Sequence, residues 1–397
     1  MEVKKKNEQH GFIENLVAAN RAAGVVEDVV DLLAGYARLC IKLGLPVEFY
    51  NSPPLDEIKS KYPLVNKFIR GNQHLEQSGL EFLSRYAELL RSQKLPILFN
   101  IEQLASYLSI SSEKLQLIAS NTDNYYKSFS IPKASGGLRR IDEPLPALKE
   151  IQTKLLRGIL ENIALHPAAT AFRRKKSIAH NAKPHVNKKV VVRLDLKDYF
   201  PSISIVRVQA VFVNLGYPKN IAQTLAKLTT YKNKLPMGSP ASPYLSNVIA
   251  GRLDRRFEKL CEKCGFSYTR YADDLIFSSG SNKVKSYIPI FLSIIKNEGF
   301  DINEKKLKVM QSGSKQKVTG VVANVKINID RQHYKKLRAT LHNCCQGKVL
   351  EQAGLWGADN ESSFKNQMIG HINFVRMLNV DKADKLQISF NKIQWSA

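Results

Sequence analysis

The chain has 397 residues, of which 44% are hydrophobic, enough to bury the cores of two or three subdomains, so disorder is not the default expectation. Its 60 lysine and arginine residues outnumber its 35 acidic residues and give a formal net charge of +25. This excess favours a polyanionic partner, because neutralising phosphates releases condensed counterions. No run of about 18 apolar residues suggests a membrane span and no apolar signal core follows Lys6, so we expect a cytoplasmic protein without a membrane partner.

The five cysteines are an odd number in a chain of this size and do not suggest a disulfide framework, which agrees with a reducing cytoplasm. Cys261 and Cys264 form a CxxC pair. A structural zinc site usually needs four ligands, so this pair would need Cys344, Cys345 or a histidine nearby. We therefore expect buried or inert thiols.

The first 94 residues are predicted to form a helical N-terminal extension. Apolar residues recur at three-to-four spacing over 11–43, and the pattern breaks at Pro46 and at the Pro53-Pro54 pair. A further helix is predicted over 77–92, where the apolar residues share one face. The sequence does not disclose what this extension does.

Two short helices and a hairpin are predicted next. The segment 101–121 has two helical stretches, and Ser111 or Ser112 is the expected N-cap of the second. The segment 125–144 is rich in strand-forming residues, with Gly136-Gly137 at the turn. The segment 145–164 then returns to a helical period.

Three acidic residues follow or join predicted strands. The β-branched segment 190–194 leads directly into Asp195. Some seventy-five residues later, 266–278 predicts a second hairpin whose turn presents Asp273 and Asp274. An Asp-Asp pair alone is as consistent with an ordinary turn as with a functional site.

The third carboxylate favours a functional interpretation of these acids. Carboxylates between apolar strands repel each other unless cations neutralise them, and oxygen ligands of this kind suit Mg²⁺. Two such ions, about 3.5–4 Å apart, activate an attacking hydroxyl and stabilise the leaving oxygens of a phosphoryl transfer. We therefore predict that Asp195, Asp273 and Asp274 are catalytic and hold two Mg²⁺ ions.

The same region resembles the reverse transcriptases. Tyr271-Ala272-Asp273-Asp274 matches the YxDD box of that family, Asp195 matches its first catalytic aspartate, and 235–247 resembles its LPQG-x-P-x-SP-x-x-SN block. The resemblance covers about residue 95 to the C-terminus. It implies an α+β right-hand polymerase with a helical N-terminal extension at 1–94, divided into 95–190 (fingers with the start of the palm), 191–322 (palm) and 323–397 (thumb and RNA-recognition region).

The resemblance also implies a binding site for the incoming dNTP. Lys133 and Arg139 lie where the family has its fingers hairpin, and an arginine fork suits a triphosphate. Phe200 stands where the family places the aromatic residue that excludes a ribose 2′-hydroxyl. The alternatives are a solvated basic hairpin and an ordinary core phenylalanine.

Two further positions would complete the predicted nucleotide site. Lys306, or Lys305 in its place, would protonate the departing pyrophosphate, although a surface lysine is the default interpretation. Gly238 would allow close backbone approach. Met237 replaces the glutamine that is usual in this block, so any hydrogen bond from that glutamine is in doubt here.

Two short motifs narrow the resemblance to the retron reverse transcriptases of bacteria. Asn181-Ala182-Lys183-Pro184-His185 resembles the retron NAxxH signature, and Val318-Thr319-Gly320 resembles the retron VTG signature. In that family, Asn181 and His185 would position the RNA. A structural histidine beside Pro184 is an equally good interpretation of His185.

Basic residues near these motifs are candidate RNA contacts. They are Arg173 and Arg174 before NAxxH, and Lys335, Lys336 and Arg338 on a predicted helix. Duplexes are bound mainly through backbone and shape, so a basic thumb helix beside an RNA-DNA hybrid is a reasonable expectation. By family analogy, specificity for the cognate RNA stem would lie in 331–397.

The retron resemblance implies a specific reaction with specific partners. The enzyme would copy part of a cognate structured non-coding RNA into branched multicopy single-stranded DNA (msDNA), primed from a guanosine 2′-OH and built from dNTPs. An effector protein from the same operon and a role in antiphage defence are also implied. Two alternatives remain: another bacterial reverse transcriptase of the group II intron or abortive-infection type, and an RNA-binding scaffold for the effector.

Overall fold

The computed structural model describes residues 14, 15, 17, 18, 21, 27–43, 77–133 and 136–395. The predicted breaks at Pro46 and Pro53-Pro54 lie outside the described residues. The helices that the structure describes are α1 (Glu27–Leu43), α2 (Gln77–Ser92), α3 (Ile101–Leu108), α4 (Ser112–Ser120), α5 (Pro146–Gly158), α6 (Ile178–Ala182), α7 (Ile205–Asn214), α8 (Lys219–Thr229), α9 (Ser242–Cys264), α10 (Ile288–Asn297), α11 (Arg331–Cys345), α12 (Val349–Leu355), α13 (Glu361–Leu378) and α14 (Val380–Asn391).

The strands form one four-stranded sheet and two hairpins. They are β1 (Tyr126–Pro132), β2 (Leu138–Pro144), β3 (Val190–Asp195), β4 (Ser267–Tyr271), β5 (Asp274–Ser279), β6 (Lys308–Gln311), β7 (Lys317–Val318) and β8 (Val321–Val322). The sheet has the order β4-β5-β3-β6, and each neighbouring pair is antiparallel. The hairpins are β1-β2 and β7-β8.

Backbone contacts divide the chain into two compact units. Unit 1 comprises Met1–Leu165 and Asp198–Ala250, and unit 2 comprises His166–Lys197 and Gly251–Ala397. Helix α9 begins in unit 1 and continues into unit 2. No helix in the described part of the chain is both long enough and apolar enough to cross a membrane.

In unit 1, the N-terminal helices pack on later helices of the same unit. Helix α1 contacts α7 and α8 as well as α2. The rings of Tyr36 and Phe82 meet edge to face at 5.0 Å, and the buried Tyr86 hydroxyl donates a hydrogen bond to the carbonyl of Gly216. The residues that sequence alone marks as an extension therefore share a core with 198–250.

Three predictions for unit 1 are confirmed: the helix at 77–92, the N-cap at Ser111 and the hairpin at 125–144. Helix α2 has the predicted bounds, and Ser111 caps α4 by accepting a hydrogen bond from the Lys114 amide. The hairpin forms with Gly136 and Gly137 at the turn, where both have positive φ angles. In its register, Ile131 lies opposite Arg139.

In unit 2, the central strand β3 is buried on both faces. Val190, Val191 and Val192 are fully buried, which explains why the strand has a continuous β-branched run and not an alternating pattern. The C-terminal helices bury large apolar side chains such as Phe364 and Met368. Each such burial stabilises the fold by about 1.5–3 kcal/mol.

All five cysteines are free thiols. Burial, followed by the neighbouring Cys264, raises the pKa of the Cys261 thiol to about 12. A thiol with so high a pKa stays protonated at neutral pH and is a poor nucleophile. Cys261 is thus the kind of buried, unreactive thiol that the sequence suggests.

Candidate active site

Asp195, Asp273 and Asp274 meet at one end of the four-stranded sheet in unit 2. Asp195 is the last residue of β3 and lies directly opposite Asp274, the first residue of β5. Asp273 occupies the turn between β4 and β5, and its carbonyl accepts a hydrogen bond of 2.9 Å from the Leu196 amide. The structure thus brings Asp195 together with a pair of acids that lies more than seventy residues later in the sequence.

The turn has an unusual backbone at Ala272. Its φ angle is +56°, in the left-handed region that non-glycine residues rarely adopt. The conformation reverses the chain within two residues, between Tyr271 at the end of β4 and Asp274 at the start of β5. Tertiary contacts must therefore maintain a locally unfavourable turn, as is common at functional sites.

Two cationic side chains contact the carboxylates. The Lys306 Nζ lies 2.9 and 3.0 Å from the two oxygens of Asp195. The Arg193 guanidinium contacts Asp274 Oδ1 through Nε at 2.9 Å and through its terminal nitrogen at 2.7 Å. Each contact offsets part of the negative charge at the strand ends.

Asp273 and Asp274 are poorly stabilised in their ionised form. Burial, then the charges of Asp274 and Asp195, raises the pKa of Asp273 to about 6. Burial also raises the pKa of Asp274, although Arg193 opposes that rise. Crowded, partly desolvated carboxylates of this kind favour a bound cation, which would remove the repulsion between them.

The donor set fits a divalent metal, but the side chains would have to rearrange. Within the described ranges, no group of three or more His, Cys, Asp or Glu side chains stands ready to hold a metal ion. Lys306 and Arg193 lie on the oxygens that a metal would use. Lys306 is half exposed, and the three carboxylates supply the oxygen ligands that Mg²⁺ prefers.

Unit 1 contains four of the five residues predicted for the nucleotide site, and the fifth, Lys306, lies in unit 2 beside Asp195. Lys133 and Arg139 are exposed on the β1-β2 hairpin. Phe200 is half-buried, with its ring centroid 5.5 Å from that of Tyr199.

Gly238 makes a close approach to the base of the same hairpin. Its φ angle is +135°, and a Cβ atom there would lie 2.7 Å from the Asp142 carbonyl oxygen. The neighbouring Met237 carbonyl accepts a hydrogen bond of 2.8 Å from the Asp142 amide. The backbone at Gly238 therefore does make a close approach, and the segment that it approaches in this chain is β2.

In the NAxxH motif, which lies in unit 2, the named residues Asn181 and His185 are fully buried, whereas Lys183 and Pro184 are exposed. His185 Nδ1 lies 2.7 Å from the Ser278 hydroxyl, and Nε2 lies 2.8 Å from the Thr269 hydroxyl. A side chain without exposed surface cannot contact RNA in this conformation. The environment of His185 is therefore that of a structural histidine.

Asn181 connects the two retron-like motifs. Its amide nitrogen donates to the Thr319 hydroxyl of the VTG motif at 3.2 Å, and its oxygen accepts from the Thr170 hydroxyl at 3.0 Å. Thr319 has a positive φ angle of +45°. The two motifs, 138 residues apart in the chain, thus share one buried hydrogen-bond network beside the β4-β5 hairpin.

The predicted RNA-binding cations have different environments. The half-buried Arg173 donates hydrogen bonds to the carbonyls of His166 and Ala169, at 3.1 and 3.4 Å, whereas Arg174 is exposed. Lys336 lies over the Trp356 ring at 4.1 Å. Lys335 is exposed on the confirmed helix α11.

A basic hollow of about 630 Å³ lies beside α11. We call it the α11 hollow. Serine and asparagine side chains share its lining with five cationic residues, Lys315, Arg331, Lys335, Arg338 and Lys382. Its chemistry suits phosphate groups.

Sequence reasoning missed Arg193 and Arg270. Arg193 is two residues before Asp195, so the period of a strand places both on one face, and this signal could have identified it. Arg270 is fully buried against Asp254, and no periodic pattern predicts that pairing. Its position two residues before Ala272 is the only sequence signal.

Comparison with known proteins places these features in a family. The family profile described as reverse transcriptase (RNA-dependent DNA polymerase) matches residues 131–326. The retron Ec86 reverse transcriptase of Escherichia coli is 37% identical over 275 residues, which are 68% of this chain and 85% of that protein. The retron Mx65 reverse transcriptase of Myxococcus xanthus is 32% identical over 315 residues, which are 74% of this chain and 71% of that protein.

A solved structure was also compared with this one. The foamy viral protease-reverse transcriptase in complex with RNA/DNA hybrid is 15% identical, with a TM-score of 0.33, and the match covers 58% of this chain and 27% of that chain. A similarity this low supports no conclusion about the present protein.

The profile match and the relatives define the protein as a reverse transcriptase, an RNA-directed DNA polymerase with the right-hand polymerase fold. Enzymes of this class depend on divalent metal ions, use an RNA template and consume dNTPs. Within the class, the chain belongs to the retron reverse transcriptases of bacteria.

Proposed function

We propose that this enzyme copies part of a cognate structured non-coding RNA into branched msDNA, starting from the 2′-OH of a guanosine in that RNA. The observation that carries the proposal is the direct opposition of Asp195 and Asp274, with Asp273 in the adjoining turn. This arrangement supports a polymerase active site, and the similarity to retron reverse transcriptases supports the retron product.

Asp195, Asp273 and Asp274 would hold two Mg²⁺ ions. When bound, the ions would activate the attacking hydroxyl and stabilise charge on the transferred phosphate. The protein's own contribution is to fix three carboxylates on a rigid sheet end and turn. Lys306 would leave Asp195 on metal binding and become available to donate a proton to pyrophosphate.

The predicted dNTP contacts other than Lys306 lie in unit 1. Arg139, helped by Lys133, would bind the triphosphate with charge-assisted hydrogen bonds. Phe200 would exclude a 2′-hydroxyl on the incoming sugar. Gly238 would contribute by allowing the LPMG segment to lie against β2, which orients the fingers hairpin.

The RNA would be bound by exposed cations. Arg174 is a candidate, as are Lys335, Lys336 and Arg338 on α11. Lys335 and Arg338 also line the α11 hollow, together with three further cationic residues. We propose that Asn181 and His185 support RNA binding from inside the fold, by holding the NAxxH and VTG segments together. Arg173 would act in the same way through its carbonyl contacts.

The domain organisation and wider role are also proposals. We assign 95–190 to the fingers with the start of the palm, 191–322 to the palm, and 323–397 to the thumb and RNA recognition. An effector protein from the same operon would bind the complex in antiphage defence.

The test is to express the enzyme with its native locus, purify it, and characterise the nucleic acid that copurifies. RNase-resistant DNA joined to RNA through a 2′,5′ branch would support the proposal. DNA that starts from a separate primer, without a branch, would favour another type of bacterial reverse transcriptase. Bound RNA without any DNA would favour a scaffold.

A further inference from the structure

A buried ion pair lies beneath the aspartate turn. Arg270, in β4, and Asp254, in α9, both have side chains with no exposed surface. Arg270 Nε donates to Asp254 Oδ1 at 2.8 Å, and a terminal nitrogen donates to Oδ2 at 2.6 Å. The Tyr268 hydroxyl donates to Asp254 Oδ1 at 2.8 Å, so the carboxylate is fully paired.

A contribution to stability does not by itself explain why this ion pair is buried. Removing both charges from water costs about as much free energy as their attraction returns, and well-packed apolar residues of similar volume are often as stabilising. A bidentate arginine contact with good geometry does, however, fix orientation. The pair therefore supplies positional order at a place where the backbone is strained.

The Arg270 guanidinium also contacts the turn itself. Its other terminal nitrogen donates to the carbonyl oxygen of Ala272 at 3.2 Å. Ala272 carries the left-handed backbone of the turn, and Asp273 follows it directly. The guanidinium thus joins α9 to the one residue whose conformation sets the direction of the next two carboxylates.

The backbone of Arg270 is held as firmly as its side chain. Its amide donates to the Ala168 carbonyl at 2.8 Å, and its carbonyl accepts from the Thr170 amide at 2.8 Å and from the Thr170 hydroxyl at 3.0 Å. The Thr170 hydroxyl, which has one proton to share between its two acceptors, also lies 3.0 Å from Asn181 Oδ1 of the NAxxH motif. Hydrogen bonds therefore fix Arg270 at its backbone as well as at its guanidinium.

We infer that Arg270 and Asp254 are positioning residues for the reaction: the bidentate pair holds the Ala272 carbonyl, and so aims Asp273 and Asp274 toward the metal ions. This inference rests on the proposed role of the aspartates. It predicts that loss of the guanidinium contact weakens metal binding and slows the chemical step while dNTP binding is little changed.

The first variant is Arg270→Lys. A lysine keeps the positive charge near Asp254, but its single nitrogen cannot maintain both the bidentate contact and the contact with Ala272. The second is the triple variant Asp254→Leu, Arg270→Met and Tyr268→Phe, which replaces the whole polar cluster by apolar groups and leaves no buried charge. The matched control is Arg256→Lys. Arg256 lies on the same helix as Asp254, and the substitution alters its contact of 2.7 Å with Glu298.

Three quantities are measured on the full chain: the melting temperature, the Mn²⁺ affinity from the EPR signal of free Mn²⁺, and single-nucleotide incorporation kinetics. For Arg270→Lys we expect kcat to fall by about 10- to 100-fold and Mn²⁺ to bind several-fold more weakly, since a small misplacement of reacting groups costs rate on this scale. The KM for dNTP should stay within about twofold, because the predicted triphosphate contacts come from other residues, Lys133 and Arg139. Arg256→Lys should match the parent enzyme in kcat and Mn²⁺ affinity.

The inference is overturned if folded Arg270→Lys and the folded triple variant keep the kcat and Mn²⁺ affinity of the parent. It is also overturned if their losses only follow the folded fraction. If the triple variant does not fold, Arg270→Lys decides alone. An Asp273→Asn variant separates the premises: if it binds Mn²⁺ like the parent, the proposed metal site fails, whereas if it loses Mn²⁺ and Arg270→Lys does not, only the positioning role fails.

Discussion

Asp195 and Asp274 face each other as the last matched pair of strands β3 and β5. Directly opposed residues of an antiparallel pair have Cβ atoms about 4.5–5.5 Å apart, so their carboxylates are close enough to share a cation. Like charges at such positions destabilise a sheet. The sheet therefore tolerates an unfavourable pair at the point where we propose that the enzyme binds its metal ions.

The Asp273→Asn/Asp274→Asn variant should lose cDNA synthesis and keep its fold. The single variant Asp273→Asn should raise the free energy of unfolding of the metal-free protein by about 1 kcal/mol at pH 7.5, because the pKa of Asp273 is raised and its ionised form therefore costs stability. Primer extension and urea denaturation measure the two effects. Persistent synthesis by the double variant would refute the metal assignment.

Arg139→Ala should raise the KM for dNTP by about 10-fold or more, because the loss of one charge-assisted hydrogen bond to a phosphate weakens binding by at least this factor. The adjacent Arg140 provides the control, because its guanidinium is bound to Asp142 and Ser128 at 2.8 and 3.0 Å. Arg140→Ala should therefore change KM less. Steady-state incorporation kinetics test this, and equal effects of the two variants would contradict the assignment of Arg139.

Gly238→Ala should destabilise unit 1 by about 2–4 kcal/mol, because the new Cβ meets the Asp142 carbonyl and the backbone conformation is strained for alanine. Gly265→Ala is the control. Its φ angle is also positive, at +69°, but nothing lies within 4 Å of the added Cβ, so the expected loss is about 1 kcal/mol. Denaturant titration compares the two variants, and equal losses would show that the close approach is unimportant.

The burial of His185 predicts a pH dependence of stability. Burial, with a smaller contribution from Lys188, lowers the pKa of His185 to about 3, whereas an unfolded chain binds this proton near pH 6.5. The free energy of unfolding should therefore fall as the pH drops from 6.5 toward 3, by up to about 1.4 kcal/mol per pH unit from this group.

A His185→Gln variant should lack this contribution. Urea denaturation of both proteins at pH 7, 6 and 5 measures the difference, and the remaining titratable groups contribute equally to both. A parent and variant with the same slope against pH would show that His185 is not held neutral in the folded protein.

Local patterns predicted the elements that carry the site. The strand at 190–194, the hairpin at 266–278 and the helix at 77–92 all form, because alternation, apolar runs and turn residues report directly on local backbone geometry. The fingers hairpin was equally predictable from its two glycines. Asp195 and the Asp273-Asp274 pair were identified as candidates on this basis together with the family resemblance.

Tertiary partners could not be predicted in the same way. A basic residue beside an acidic box looks like surface, yet Arg270 is buried because Asp254, sixteen residues earlier on α9, neutralises it. The sequence leaves His185 equally consistent with RNA contact and with a structural role, because its two hydroxyl partners lie on β4 and β5, far away in the sequence. Such pairings depend on packing between elements distant in sequence, which no periodicity records.

The most direct test of the metal site is a crystal structure of the enzyme with Mn²⁺, a primer-template and a non-hydrolysable dNTP, with anomalous scattering recorded for manganese. The account predicts two anomalous peaks about 3.5–4 Å apart, bound by Asp195, Asp273 and Asp274, with Lys306 moved off Asp195. Peaks bound elsewhere, or no peak at these carboxylates beside a bound dNTP, would contradict it.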